Sequence, residues 1–308
     1  MNVIGIDAGA TWIKAGLFSP ELEIIKTVKT ASGAGRGIKE YIDSIAAAVE
    51  KLGVSKVEAA GLALPATLTA DGREVKYAGN IKGLTVGSRP VPVSHFVPGL
   101  LNPANVAVEN DANCAALAEW QKRRGEGRPE IRLLHLTWGT GIGTGLVVDG
   151  KIQYGWEGGH LPVSWENPVP GACGCGSRVD LEARIAVPKL VSLARSKIEG
   201  LGDAKEAFKN ILDQAEAGNL AAGEVIEEAL LWMARGLLAM SIVAYPDLVA
   251  IGGAAMSRDW LLADLRRKAA DEASGYLADA LKPQTIWRAN LGNEAGMMGA
   301  AILALEKS

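Results

Sequence analysis

The chain has 308 residues, 48% hydrophobic and 22% charged, with a formal net charge of −3. It is long for one hydrophobic core and short for three, so two globular domains are expected, and the charge balance argues against a nucleic-acid partner. Three cysteines cannot build a disulfide framework. No apolar stretch is long enough to span a membrane, and the chain opens directly into a strand-like run, so a reducing cytoplasm is the expected compartment.

Residues 2–30 read as three short strands. The first runs to Asp7, the second from about Thr11 to Phe18 and the third from Glu23 to Lys29, with Ser-Pro-Glu at 19–21 as the turn between the last two. Ile38, Tyr41, Ile42, Ile45 and Val49 fall on one face of an expected helix over 37–52. Apolar runs at 57–64, ended by Pro65, and at 104–108 read as buried strands, and the second leads into a helix over 112–122. Residues 131–154 then repeat the opening pattern of strand, glycine turn, strand, tight turn and strand. Asp-Gly at 149–150 suits a type I′ hairpin, because both central residues need positive φ.

The stretch 165–176 carries prolines and two cysteines and shows no periodicity. Helices follow, notably one over 220–244. Then come a strand at 248–251 ended by Gly-Gly-Ala-Ala, a helix near 258–273, a short strand near 285–288 and a final helix over 293–306. Strands alternating with helices, and a hairpin opening each half, indicate α/β domains with mixed sheets, built alike. The expected division is residues 1–111, joined by the C-terminal helix 293–308, and residues 112–292.

Two glycine turns and one acidic residue carry the chemistry. Asp7-Ala8-Gly9-Ala10-Thr11, with Lys14 beyond, puts small residues where backbone N–H groups can converge on an anion; Thr11 adds a hydroxyl, and Asp7 is placed to hold magnesium through water. Gly139-Thr140-Gly141-Ile142-Gly143 repeats that chemistry in the same strand context. Neither is a Walker loop, which needs Gly-Lys-Ser or Gly-Lys-Thr opening a helix. Each, taken alone, is equally a plain hairpin turn.

Asp111 lies where an apolar strand gives way to a helix, so its carboxylate reads either as a helix N-cap or as a general base. Asn110 beside it offers the donor and acceptor that oriented binding of a vicinal diol requires. Glu157, His160 and Glu182 are polar residues in surroundings rich in glycine and small side chains, and Cys114 reads as a small buried residue. A carboxylate base between two phosphate cradles points to phosphoryl transfer onto a small hydroxylated substrate.

Five segments in order resemble the ROK family, which contains sugar kinases and sugar-responsive repressors. They are Asp-Ala-Gly-Ala-Thr-Trp-Ile-Lys at 7–14, Glu-Asn-Asp-Ala-Asn-Cys-Ala-Ala-Leu-Ala-Glu at 109–119, Gly-Thr-Gly-Ile-Gly-Thr-Gly at 139–145, Glu-Gly-Gly-His at 157–160 with Cys-Gly-Cys-Gly at 173–176, and Ala-Gly-Met-Met-Gly-Ala-Ala at 295–301. The resemblance implies the two-domain actin-like ATPase (ribonuclease H-like) fold, with mixed sheets and an interdomain cleft where ATP and sugar meet. It implies ATP-dependent phosphorylation of a hexose, first of all glucose at its 6-hydroxyl, with another hexose or an N-acetylhexosamine as the alternative. ATP, Mg2+ and a homodimer come with it.

Carried over residue by residue, Asp111 matches the catalytic base, and Asn110, Glu157, His160, Glu182 and Asn80 match sugar ligands. Asp7, Gly9, Thr11, Lys14, Thr140 and Gly141 match phosphate and magnesium contacts, and Gly252 and Gly253 match the glycine pair against adenosine. One motif departs: Asp180 stands where the family has its third zinc-binding cysteine, and Val179 where it has glycine. His160, Cys173, Cys175 and Asp180 still make an acceptable tetrahedral zinc set, because an aspartate oxygen is a zinc ligand. The other outcome is a loop retained without its metal. A DNA-binding repressor would need a winged-helix module ahead of a phosphate turn that here begins within the first ten residues. A non-catalytic sugar sensor is opposed by the presence of both Asp7 and Asp111.

Overall fold

Ala59–Leu64 is buried at all six positions, the pattern of a strand covered on both faces. The computed structural model that contains it describes residues 2–307, apart from 55–56, 70, 86, 126, 128–130, 172 and 205. Its first elements are β1 (Val3–Ala8), β2 (Trp12–Phe18), β3 (Ile24–Ala31), α1 (Ile38–Leu52), β4 (Ala59–Leu64), β5 (Thr67–Leu68), β6 (Glu74–Tyr77), β7 (Val91–Pro92), β8 (Val106–Asn110) and α2 (Asp111–Gly125). Then follow β9 (Arg132–Trp138), β10 (Ile142–Val148), β11 (Lys151–Ile152), α3 (Leu181–Ile185), α4 (Val187–Ala194), α5 (Ala207–Glu216), α6 (Leu220–Ala244), β12 (Leu248–Gly252), α7 (Asp259–Glu272), α8 (Leu277–Ala280), β13 (Ile286–Arg288) and α9 (Ala295–Lys307).

The first sheet has the order β3-β2-β1-β4-β8 and the second β11-β10-β9-β12-β13. Numbered within each sheet, both read 3-2-1-4-5, so the repeat seen in the sequence is a repeat of topology. Both sheets are mixed: β1 runs antiparallel to β2 and parallel to β4, while β12 is parallel to β9 and β13, and β10 is antiparallel to β11. The type I′ expectation holds at Asp149 and Gly150, whose φ values are 51° and 78°.

Contacts divide the chain into two compact units. The first holds residues 1–130, 145–155 and 291–308; the second holds 131–144 and 156–290. Asp111, expected to close the first domain, lies inside the first unit with the whole of α2.

Within the first unit, one face of the sheet packs on α1 through Ile4, Ile6, Ile13, Tyr41, Ile45 and Leu62. The other face packs on α9 through Val3, Phe18, Ala59, Met297 and Ala301, and where it carries glycine the backbones themselves come close. A Cβ added to Gly5 would lie 2.0 Å from the Met297 carbonyl oxygen, and one at Gly61 would lie 1.7 Å from that of Ala300. Gly299 meets the Cys114 carbonyl of α2 in the same way, at 1.8 Å. The glycine and alanine residues at 295–301 are therefore a close-packing surface, and Cys114, fully buried, sits beneath it.

Several boundaries differ from the sequence expectation, two of them near the site. The strand expected at 104–108 occupies 106–110, because its parallel register with β4 runs to Leu64 opposite Asn110 and residues 103–105 form a 3-10 turn. The final helix starts at Ala295 after another such turn at 292–294. The small β5-β6-β7 sheet was not anticipated.

Candidate active site

In the first unit β1 delivers Asp7 to the edge of the glycine turn. Lys14, its cross-strand partner on β2, places Nζ 3.2 Å from Asp7 Oδ2 and 3.1 Å from the Asn293 carbonyl oxygen. Burial pushes the Asp7 pKa up, and the neighbouring Lys14 ammonium opposes that shift. The turn itself is tight. A Cβ on Gly9 would stand 3.0 Å from the Trp12 carbonyl oxygen, and Ser32 donates its N–H to the Thr11 carbonyl (3.1 Å) and its hydroxyl to that of Ala10. Thr11 is exposed beside these contacts.

Asp111 is the first residue of α2, and the cap of that helix is Asn110. Asn110 Oδ1 accepts the N–H groups of Ala112 (2.9 Å) and Asn113 (3.1 Å), the two donors that an N-cap side chain satisfies. Asn110 Nδ2 donates to the Ala66 carbonyl (3.1 Å). The sequence left Asp111 as either cap or base, and it set Asn110 aside for the substrate. In the structure Asn110 is the cap that takes both N–H groups, and Asp111 Oδ1 also accepts the Ala112 N–H at 2.8 Å.

Two residues that sequence reasoning passed over hold this corner. Glu109 is buried, and its Oε1 accepts from the Asn110 N–H (2.8 Å) and Asn113 Nδ2 (3.0 Å). Tyr41, read only as a core residue of α1, donates its hydroxyl to the Ala8 carbonyl. Burial first, then the charges of Asp111 and Asp7, push the Tyr41 pKa well up, so one phenol feels both aspartates. Asn80 lies on an exposed turn where Ile81 N–H donates to the Ala78 carbonyl.

In the second unit the turn after β9 is clasped by the segment around α3. Glu182 Oε2 accepts the Ile142 N–H at 2.8 Å, and a Cβ on Gly141 would lie 2.6 Å from the same oxygen. Thr140 is exposed at the tip. Gly252 ends β12, and Gly253 has φ 95° with its would-be Cβ only 2.2 Å from the Trp138 carbonyl oxygen, so glycine is required there. Glu157 is exposed, and its carbonyl accepts the His160 N–H (2.9 Å).

His160, Cys173, Cys175 and Asp180 converge, with one ligand atom from each lying within 4.8 Å of all the others. Asp180 Oδ2 is 3.2 Å from His160 Nδ1 and 3.1 Å from each cysteine Sγ. Burial works against ionisation of Asp180, yet hydrogen bonds from His160, the Ala183 N–H and both thiols hold its pKa down at about 2. Burial pushes both cysteine thiols up. One imidazole, two sulfurs and one carboxylate in a single cluster are the donor chemistry of a closed tetrahedral zinc site.

The solved structure of a ROK family glucokinase from Streptomyces griseus, in complex with glucose and AMPPNP, is 28% identical and matches with a TM-score of 0.78 over 99% of this chain and 100% of its own. The fold is thus the two-domain actin-like ATPase fold. The sequence profile of the ROK family matches residues 3–307, and the chain belongs to the ROK family. Among curated relatives, a glucokinase of Streptomyces coelicolor is 28% identical, covering 98% of this chain and 97% of its own. An N-acetylmannosamine kinase of Escherichia coli is 26% identical, covering 99% and 98%.

Proposed function

We propose that the protein is an ATP-dependent sugar kinase that phosphorylates a hexose, with glucose at its 6-hydroxyl as the first substrate. The observation that carries this reading is the position of Asp111, the first residue of α2 directly after the strand β8, in a chain that belongs to the ROK family. Asp111 accepts the sugar proton, a role that typically contributes roughly 10²–10⁴-fold in rate. Phosphoryl transfer leaves little covalent work for protein groups, so the remaining residues position and neutralise.

The turn around Gly9 and Thr11, with Lys14, and the turn at Thr140 and Gly141 bind phosphates through backbone N–H groups. Gly252 and Gly253 admit the adenosine. Asp7 holds Mg2+, which supplies charge neutralisation on the phosphates when bound. Asn80, Asn110, Glu157, His160 and Glu182 bind sugar hydroxyls; Asn110 brings to this its second Nδ2 hydrogen. His160, Cys173, Cys175 and Asp180 hold a structural zinc ion, which would fix the loop that carries His160. A homodimer is the proposed assembly, measurable by light scattering.

The test is ADP release across glucose, mannose, fructose, N-acetylglucosamine and N-acetylmannosamine, run with the intact protein and with Asp111→Ala. Turnover of a sugar by the intact protein that Asp111→Ala lowers at least a hundredfold supports the reading. Equal turnover by both proteins removes Asp111 from its role. Preference for N-acetylmannosamine would shift the substrate toward that of the E. coli relative.

A further inference from the structure

The carboxylate of Asp180 has two oxygens pointing in two directions. Asp180 Oδ2 faces His160, Cys173 and Cys175. Asp180 Oδ1 accepts the Ala183 N–H at 2.7 Å and is the N-cap of α3. A single sulfur at this position has no second ligand atom with which to divide the two tasks.

Helix α3 is in turn strapped to the glycine turn after β9. Glu182 takes the Ile142 N–H (2.8 Å), the Ile185 carbonyl takes Trp138 Nε1 (2.7 Å), and the Gly139 carbonyl takes the Val187 N–H (2.8 Å). The strand-like contact of Asp180 with Pro162, and the Leu181 N–H donated to the Leu161 carbonyl (3.0 Å), fasten the same helix to the segment that follows His160. Ligand cluster, helix and turn form one hydrogen-bonded chain within the second unit.

We infer that Asp180 is a positioning residue that couples zinc occupancy of this cluster to the order of the Gly139–Gly143 turn. A cation drawn to Oδ2 fixes the carboxylate plane. That plane sets the cap of α3, and α3 sets the Ile142 and Val187 amides. The inference rests on the proposed zinc site, and it stands apart from the proposed sugar substrate because its readout needs no turnover.

The experiment is hydrogen exchange of the whole protein, chelated and then titrated with zinc chloride, with metal content measured in parallel. It is repeated with Asp180→Asn, which keeps a capping oxygen but loses the ligand charge, and Asp180→Cys, which keeps an anionic ligand but loses the carboxylate cap. In the parent, one equivalent of zinc should slow exchange at Ile142 and Val187 at least tenfold. Asp180→Cys should bind zinc yet transmit less than a threefold change. Asp180→Asn should match the chelated parent at both amides and bind zinc at least tenfold more weakly.

Zinc binding by the parent with unchanged exchange at both amides overturns the coupling, as does a parent that takes up no zinc. An Asp180→Cys variant that transmits as fully as the parent overturns the role of the second oxygen. Full coupling in a protein that phosphorylates no sugar would leave this inference standing and remove only the kinase reading.

Discussion

The Tyr41 hydroxyl of α1 donates to the Ala8 carbonyl at the end of β1, a buried bond that ties the core of the first unit to the turn after Asp7. The sheet therefore positions the turn from below, through a side chain whose own charge state is governed by burial and by Asp111 and Asp7. Tyr41→Phe should lower stability by about 1 kcal/mol, the net worth of one buried hydrogen bond with its acceptor left unpaired. It should raise KM for ATP more than KM for the sugar. Denaturant melts and two-substrate kinetics measure both, and an unchanged KM for ATP would detach Tyr41 from the proposed phosphate turn.

The Lys14 ammonium opposes the rise that burial imposes on the Asp7 pKa. Lys14→Met removes the opposing charge, so the Asp7 pKa in the folded protein rises further. With ionised Asp7 required for activity, the acid limb of kcat/KM should move to higher pH, with a larger loss near pH 6 than near pH 8. A pH–rate profile whose acid limb stays in place would show that Asp7 does not set it.

His135, buried on β9, has its pKa lowered by burial to about 4 from 6.5. The unfolded chain takes up a proton on this ring before the folded one does, so stability falls as pH drops from 6.5 toward 4 and this contribution levels off below. The full effect is roughly 3 kcal/mol. Stability of His135→Phe, measured by urea titration between pH 4 and 7, should depend on pH less steeply than that of the parent.

Two glycines in similar company should respond in opposite ways. Gly61→Ala drives a methyl group into the Ala300 backbone and should cost about 3 kcal/mol. Gly223, inside α6, has nothing within 4 Å of the added carbon, and Gly223→Ala should gain about 0.5–1 kcal/mol. Thermal melts of the two variants compare them directly.

Elements whose signal is their own burial were legible in the sequence. Helix α6 spans the expected residues 220–244, and β12 extends the expected strand by one residue to Gly252. Elements held by partners were not. Strands β5 and β7 have two residues each and exist only by pairing with β6. Helix α3, five residues long, is too short for periodicity, and its cap, Asp180, reads in the sequence as a zinc ligand in place of a cysteine and not as a cap.

At the site, residue types were readable while roles within a pair were not. Asn110 and Asp111 are both good caps by composition, and the choice between them depends on where β8 ends. Register with β4, which no local pattern reveals, decides that. Glu109 offered a faint signal, an acidic residue closing an apolar strand.

Asn110 caps the helix one position earlier, and an asparagine at 111 keeps an oxygen able to accept the Ala112 N–H that Asp111 Oδ1 accepts at 2.8 Å. Asp111→Asn keeps the shape, the strand and the turn, so its melting temperature should stay with the parent's while turnover disappears. In evolutionary terms, a catalyst and a silent receptor on this framework stand one nucleotide change apart, with no folding barrier between them.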